Sequence, residues 1–234
     1  MIINNVIDEC ARFQVNKLLM PIGGCSYPDT DENNEGFYKE IDLFNGMANR
    51  NSFGYSMAKR NSVVAAMAYK QQFNLDTTIV IPTNPIGPFD NTDEQNSHVV
   101  MALIGKFLDA IEEGYTNVIV AGSGKPERDF LYIEDIVKVF PVLIDKYDEV
   151  GPINISSGKG TTIAELAEAI AKITGFSGNI HYDRSRPDGQ ARKILDNSLL
   201  LDILKENNIE WNPMSLEDAL SITIEWYKKR VLGK

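Results

Sequence analysis

Cysteine and histidine are nearly missing from this 234-residue chain, which has two of each. Cys10 and Cys25 give no disulfide framework and no spacing of metal ligands, a pattern typical of a reducing compartment. No apolar run approaches the roughly 20 residues that span a bilayer, and Met1–Arg12 resembles neither a signal peptide nor a transit sequence. We therefore expect a soluble cytoplasmic protein, and we assign it no metal site.

Positive charge is also scarce. The chain has 23 Lys and Arg against 33 Asp and Glu, which gives a net charge of −10. So acidic a protein is repelled by nucleic acids and anionic membranes, and we expect neither as a partner. With 43% hydrophobic and 24% charged residues, the chain has a globular composition and can form one large domain or two small ones.

Hydrophobic periodicity predicts an alternation of strands and helices. Helical spacing in Met1–Asn16 leads into the apolar run Leu18–Ile22, which is typical of a strand inside a parallel sheet. A helix over Phe53–Phe73 and a strand over Thr77–Ile81 follow, so the order predicts a parallel crossover. Later patterns predict a helix over about His98–Glu113, a strand over Asn117–Ala121, a helix over Ile133–Tyr147, a strand over Ile153–Ile155, a helix from the capping box at Thr162 to Gly175, and a last helix capped at Ser215.

Tyr55 and Lys59 lie four residues apart on the predicted helix and so share one face. An ammonium beside a phenol favours the phenolate, and such a pair can pass a proton to or from a sugar or alcohol oxygen. That chemistry suits hydride transfer. A solvated helix also carries this spacing by chance, so the pair alone leaves that alternative open.

Further motifs stand in order around this pair: Gly24-Cys25-Ser26-Tyr27-Pro28, Pro82-Thr83-Asn84, Asn96-Ser97-His98, Gly122-Ser123-Gly124, Arg128 and Pro187-Asp188-Gly189. With them the chain resembles the extended short-chain dehydrogenase/reductases, the NAD-dependent epimerase/dehydratase family, from end to end. The resemblance implies an α/β fold with part of a Rossmann-like doubly wound parallel sheet and a smaller C-terminal α/β substrate domain. It assigns residues 1–95 to the dinucleotide-binding domain and 96–234 mainly to the nucleotide-sugar domain, with a return to the sheet near 130–157.

Within the family, the chain is most similar to the NADPH-dependent 3,5-epimerase/4-reductases that act on a GDP-4-keto-6-deoxy sugar. Inverting a carbon beside a ketone needs a base and an acid, and Cys25 and His98 match that pair. The resemblance implies that Tyr55 then protonates the reduced ketone, while Lys59 stabilises the phenolate and holds the nicotinamide ribose. The alternatives are a small buried residue for Cys25 and a surface or capping residue for His98.

The resemblance also implies two sets of binding residues. The nicotinamide end of NADP(H) is assigned to Pro21, Ile22, Gly23, Gly24, Lys59, Pro82, Thr83, Asn84, Pro85 and His98. The GDP-sugar is assigned to Lys106, Arg128 and Asp188, with Arg192 and Lys193 as further candidates, because Arg and Lys suit a pyrophosphate. The alternatives are a solvated helix position for Lys106 and a turn former for Asp188.

Two positions depart from the family pattern. Gly23 stands where members carry a Ser or Thr that hydrogen-bonds the substrate's 4-keto oxygen, and Ala121 stands where this branch has a Trp beside the substrate. Losing such a hydroxyl raises the barrier by about 2 to 4 kcal/mol unless Ser26 or a water replaces it.

The chain also lacks the Gly-rich turn with which the family's sheet begins, so we expect NADPH not to be bound fully by this chain alone. The strand Leu18–Ile22 is then expected to present an unpaired apolar edge. Expected partners are a second copy, through the helices at Met1–Asn16 and Phe53–Phe73, and a separate N-terminal polypeptide.

Two other functions stay open on the sequence. One is another NDP-sugar epimerase or reductase of the same fold. The other is a non-catalytic sugar-nucleotide-binding protein or inactive fragment, which Gly23 and the missing Gly-rich turn favour.

Overall fold

The computed structural model of the protein describes residues 2–29, 36–48, 52–93, 96–231 and 233. They form two compact units. The first is built from Met1–Thr83, Asp135–Gly158 and Ile194–Asn212, and the second from Asn84–Glu134, Lys159–Lys193 and Pro213–Lys234. The assignment of cofactor and substrate roles to residues 1–95 and 96–234 stays a prediction.

Helices and parallel strands occur in both units, which confirms the predicted α/β class. The helices are α1 (Ile2–Arg12), α2 (Phe53–Phe73), α3 (Val99–Glu112), α4 (Ile133–Lys138), α5 (Phe140–Lys146), α6 (Ile163–Thr174), α7 (Ser198–Glu206) and α8 (Leu216–Arg230). The strands are β1 (Lys17–Pro21), β2 (Phe37–Tyr38), β3 (Asp76–Pro82), β4 (Asn84–Ile86), β5 (Asn117–Ala121), β6 (Glu127–Arg128), β7 (Phe130–Tyr132), β8 (Pro152–Ile155), β9 (Thr161–Thr162), β10 (Asn179–Asp183) and β11 (Arg192–Leu195). Short 3-10 helices cover Gly24–Ser26 and Glu40–Phe44. Among the helices of the described residues, none is both long and apolar enough to cross a membrane.

The first unit is organised on a three-stranded parallel sheet in the order β1-β3-β8. The pairing of β1 with β3 across α2 confirms the predicted parallel arrangement. Strand β3 is central, and its residues Ile79 and Ile81 are fully buried beside Ile7 and Val63 of the helices. Within the described part of the chain, β1 pairs only with β3 and therefore lies at the edge of this sheet rather than inside it.

The prediction of one continuous helix over Ile133–Tyr147 is wrong, because the structure has two helices, α4 and α5, in this range. Val139 separates α4 from α5. Pro141 explains the break, since it has no amide proton and its ring clashes with the carbonyl four residues earlier inside a helix. In the first turn of α5, where amide protons have no helical partner, the proline is tolerated.

The second unit packs α3, α6 and α8 around the parallel pair β5 and β10. Val118 and Val120 of β5 are buried in this core, and the residues that alternate with them, Asn117, Ile119 and Ala121, are exposed. A second parallel pair joins β4 to β7, and β6 pairs antiparallel with β9. The predicted capping box opens α6, because Thr162 accepts a hydrogen bond from the Glu165 amide while the Glu165 carboxylate accepts one from the Thr162 amide.

A buried polar network around Asn154 ties the first unit together, and no sequence pattern predicted it. The Asn154 side chain accepts a 2.7 Å hydrogen bond from the Tyr27 hydroxyl and donates bonds of 3.0 Å to the carbonyls of Tyr38 and Asp196. Its backbone amide donates to Glu40. Tyr27 stacks on Tyr38 with ring centroids 5.0 Å apart. The amide therefore fixes the chain that follows Cys25.

We expect Asn154→Ala to lower the free energy of unfolding by about 2 to 3 kcal/mol, because it removes the hydrogen-bond partner of the buried Tyr27 hydroxyl and the side-chain bond to the Asp196 carbonyl. The Tyr38 carbonyl keeps its bond from the Asp196 amide. Urea unfolding measures the change. Asn207→Ala is the control, since that side chain makes one partly buried hydrogen bond to Ile203, and we expect it to cost about 1 kcal/mol or less. Equal losses for the two variants would show that the network adds nothing.

Candidate active site

Gly23, Cys25 and Tyr55 meet where the chain leaves β1. Cys25 lies in the 3-10 turn Gly24–Ser26, and Tyr55 lies in the first turns of α2. A Cβ atom built on Gly23 would lie 3.1 Å from the Cys25 sulfur and 3.6 Å from the Tyr55 hydroxyl oxygen. The structure therefore brings the predicted thiol and phenol to the same small space, which the missing side chain of Gly23 leaves open.

The predicted depression of the Tyr55 pKa is wrong. Partial burial and the nearby Cys25 thiol raise the pKa of Tyr55 above its ordinary value of 10.0. The Lys59 ammonium lies 5.4 Å from the centre of the Tyr55 ring and 3.5 Å from the Pro21 carbonyl oxygen, and it does not reverse this effect. At neutral pH Tyr55 is therefore a phenol that can donate a proton.

Several residues assigned to the cofactor lie at the carboxyl ends of β1 and β3. Pro21 ends β1, and the Ile22 amide donates a hydrogen bond to the Val80 carbonyl of β3. A Cβ built on Gly24 would lie 3.9 Å from the Pro82 carbonyl oxygen. Open α/β sheets bind their ligands at this edge. Thr83 continues from β3, where its amide donates to the Ile155 carbonyl of β8.

Arg60 is a residue of this site that sequence reasoning missed. It follows Lys59 on α2 and is only 5% exposed. Its guanidinium donates 2.6 Å hydrogen bonds to the carbonyls of Ser26 and Gly46. Burial lowers the pKa of Arg60 below its ordinary value. Arg60 thus ties the turn that carries Cys25 to the helix that carries Tyr55 and Lys59.

His98 belongs to the second unit, where it is the N-cap residue of α3. Its imidazole makes no capping hydrogen bond, and its side chain is 78% exposed. Nδ1 lies 3.2 and 3.3 Å from the two carboxylate oxygens of Asp90. The imidazole is therefore accessible and oriented by a carboxylate rather than used as a helix cap.

Lys106 and Asn84 also belong to the second unit. Lys106 lines a cavity of about 240 Å³ with Ser97, Asp109 and Tyr227, and its ammonium donates to the Ile119 carbonyl. Asn84 opens the strand that contains Pro85, and its side chain donates a 2.6 Å hydrogen bond to the Asp129 carbonyl. The binding roles of these residues stay predictions.

Asp188 is engaged with the turn Gly122-Ser123-Gly124. Its two carboxylate oxygens accept hydrogen bonds of 2.7 and 2.6 Å from the Ser123 amide and hydroxyl. These bonds hold the pKa of Asp188 below its ordinary value. Arg128 lies nearby, since a Cβ on Gly189 would be 3.1 Å from its guanidinium. Asp188 therefore links its own segment to the distant Gly122-Ser123-Gly124 turn, and both its contact with substrate and its role as a local turn former stay predictions.

The chain is similar to known proteins over nearly its whole length. The model of the NAD dependent epimerase/dehydratase family matches residues 1–156, and the chain belongs to that family. It is 35% identical to GDP-L-fucose synthase 1 of Arabidopsis thaliana over 98% of this chain and 69% of the plant protein. It is 33% identical to GDP-L-fucose synthase of Escherichia coli, over 97% of this chain and 71% of the bacterial one.

Among solved structures, the chain is similar to a GDP-L-fucose synthetase from Naegleria fowleri bound to NADP. The TM-score is 0.88 and the identity 29%, over 98% of this chain and 71% of the other. The predicted family and its Rossmann-like fold are confirmed.

Proposed function

We propose that this chain is an NADPH-dependent 3,5-epimerase/4-reductase of a GDP-4-keto-6-deoxy sugar, of the GDP-L-fucose synthase type. The observation that carries the proposal is the convergence of the Cys25 sulfur and the Tyr55 hydroxyl beside Gly23. Similarity to GDP-L-fucose synthases over nearly the whole chain supports the same reaction. We also propose a cytoplasmic location, because the two cysteines are free thiols.

The proposed reaction needs two kinds of proton transfer, one at the carbons beside the ketone and one at the ketone oxygen. Cys25 and His98 serve as the base and acid that remove and return the proton at each carbon beside the ketone. Tyr55 gives its phenolic proton to the oxygen of the reduced ketone, and Lys59 stabilises the resulting phenolate. NADPH, when bound, supplies the hydride, and the edge formed by Pro21–Gly24 and Pro82–Thr83 fits its nicotinamide end. Lys106, Arg128 and Asp188 are proposed to bind the GDP-sugar.

Calorimetric titration of the purified chain with NADPH and, separately, with GDP tests this proposal. We expect GDP to bind, and NADPH to bind weakly because the sequence lacks the Gly-rich turn that holds the rest of the cofactor. We expect Lys59→Met to weaken NADPH binding further while GDP binding is unchanged. NADPH oxidation in the presence of GDP-4-keto-6-deoxymannose then tests the reaction. Binding of GDP without NADPH would instead favour the non-catalytic sugar-nucleotide-binding protein, an alternative for which Gly23 is the supporting observation.

We further propose that the chain forms a homodimer through α2. Phe53, Met57, Val64 and Met67 recur at helical spacing along this helix and are 38 to 53% exposed. In a two-fold symmetric dimer, the same apolar stripe of both subunits is buried in the contact. The open edge of β1 is proposed to accept a further strand, which a separate N-terminal polypeptide would supply.

We expect Val64→Asp to weaken self-association about 100-fold or more, because it places an unpaired charge in the proposed contact. Sedimentation velocity measures the dimer. Val137→Asp is the control, since Val137 is similarly exposed (50%) but lies on α4. Dissociation by both variants, or by neither, would rule out α2 as the contact.

A further inference from the structure

The carboxylate of Asp90 contacts the exposed imidazole of His98 at the start of α3. Asp90 approaches Nδ1 of His98 with both oxygens, at 3.2 and 3.3 Å. Nδ1 and Nε2 lie on opposite sides of the ring, so the contact leaves Nε2 without this partner. The His98 side chain is 78% exposed and that of Asp90 only 27%.

The surrounding loop holds this carboxylate in place. Oδ1 of Asp90 accepts a 2.8 Å hydrogen bond from the Asn91 amide. Asn91 in turn accepts from the Asp93 amide and donates to the Asn96 carbonyl, and Asp93 accepts from the Asn96 amide. These bonds link the segment that carries Asp90 to the segment that leads into His98.

From this arrangement we propose that Asp90 is a positioning residue for His98, an inference that rests on the proposed acid or base role of His98. Asp90 holds the proton of the neutral ring on Nδ1, so Nε2 is the atom through which His98, as the acid of the pair, takes a proton from water and gives it to the sugar carbon. When Nε2 carries that proton, the ring is cationic and faces the Asp90 carboxylate. Return of the proton from Nε2 to carbon or to water restores the neutral ring with Nδ1–H. The step therefore needs no oxidant and no further reactant.

Stability does not account for this pair. An ion pair with one partner this exposed contributes little to folding, since water and salt screen it and two side chains must be ordered. The imidazole also makes no capping bond to α3. The contact does have one specific effect, because the hydrogen bond at one ring nitrogen decides which tautomer the other nitrogen presents.

Nitrogen-15 NMR of the imidazoles tests the proposal directly, because His98 and His181 are the only two histidines in the chain. At about pH 8.5, where an ordinary imidazole is neutral, we expect His98 to show the Nδ1–H tautomer. Asp90→Asn should shift it towards Nε2–H, while His181, whose Nε2 lies 2.8 Å from Asn117, stays unchanged as an internal reference. Asp90→Glu restores a carboxylate and should recover part of the Nδ1–H signal.

The matched control is Asp93→Asn, which lies on the same loop and keeps an acceptor oxygen for Asn96. We expect it to leave the His98 tautomer as in the wild type. An unchanged His98 tautomer in Asp90→Asn, or an equal shift in Asp93→Asn, would overturn the proposal.

Catalysis provides a second readout. In deuterated water, Asp90→Asn should slow deuterium incorporation beside the ketone of GDP-4-keto-6-deoxymannose about 10- to 100-fold in kcat, with KM nearly unchanged. The urea midpoint should not move, whereas a merely structural role would lower it. Absence of exchange in the wild-type chain would count against the proposed reaction, and the tautomer measurement would still decide the role of Asp90.

Discussion

Tyr55→Phe is expected to lower kcat for NADPH oxidation about a thousandfold while the chain stays folded. A positioned acid contributes about two to four orders of magnitude, and this variant removes the only proton that Tyr55 can give. The side chain is 55% exposed, and among the described residues its hydroxyl makes no hydrogen bond, so little stability is lost. Because the pKa of Tyr55 is raised above 10.0, the wild-type acid stays protonated at neutral pH and is lost only when the pH rises beyond that value.

The same variant separates the two halves of the reaction. Deuterium incorporation beside the ketone depends on Cys25 and His98 and should continue in Tyr55→Phe at nearly the wild-type rate. Tyr69→Phe is the matched control, because Tyr69 lies on the same helix and its hydroxyl donates to Asp8, away from Cys25. If Tyr55→Phe reduces the ketone as fast as Tyr69→Phe does, Tyr55 is not the acid.

Elements with strong local signals could be predicted from the sequence. Helix α2 spans Phe53–Phe73 and β5 spans Asn117–Ala121, as the periodicity indicated, and Thr162 caps α6 as its spacing with Glu165 required. In each case the determining residues are neighbours along the chain. The break between α4 and α5 could also have been predicted, because Pro141 is excluded from the interior of a helix. Hydrophobic periodicity alone does not indicate this break.

Features that depend on distant parts of the chain could not be found in this way. The strands β2, β6 and β9 have two residues each, too few to show a period. Arg60 looks like an ordinary helix residue until the fold brings it to the carbonyls of Ser26 and Gly46. The Tyr55-Lys59 spacing did locate the pair, but the direction of the Tyr55 pKa shift depended on the partial burial of the phenol and on the Cys25 thiol that the fold brings beside it.

Gly23→Ser is expected to raise kcat for ketone reduction by about two to three orders of magnitude. A hydroxyl aimed at an oxygen that gains negative charge contributes about 3 kcal/mol or more to the transition state. Ser26 does not replace it, because the Ser26 side chain is fully buried and its hydroxyl has no partner among the described residues. The wild-type chain is therefore expected to reduce its substrate slowly.

The site accepts this substitution. Gly23 has φ −88° and ψ 149°, in the extended region that every residue adopts. The new Cβ would lie 3.1 Å from the Cys25 sulfur, so the thiol must move by a few tenths of an ångström. That displacement is the one cost of the change, and it affects epimerisation through Cys25 rather than reduction.

Gly23→Ala separates the hydroxyl from this displacement, since alanine adds the same Cβ without an oxygen. We expect Gly23→Ala to reduce the ketone no faster than the wild type, and both variants to slow deuterium exchange equally. If only Gly23→Ser reduces the ketone faster than the wild type, the site carries out the proposed reduction and lacks one hydrogen-bond donor to the 4-keto oxygen. Equal rates for serine, alanine and glycine would mean that no charge develops beside position 23, and the proposed place of the 4-keto oxygen next to Tyr55 would then be wrong.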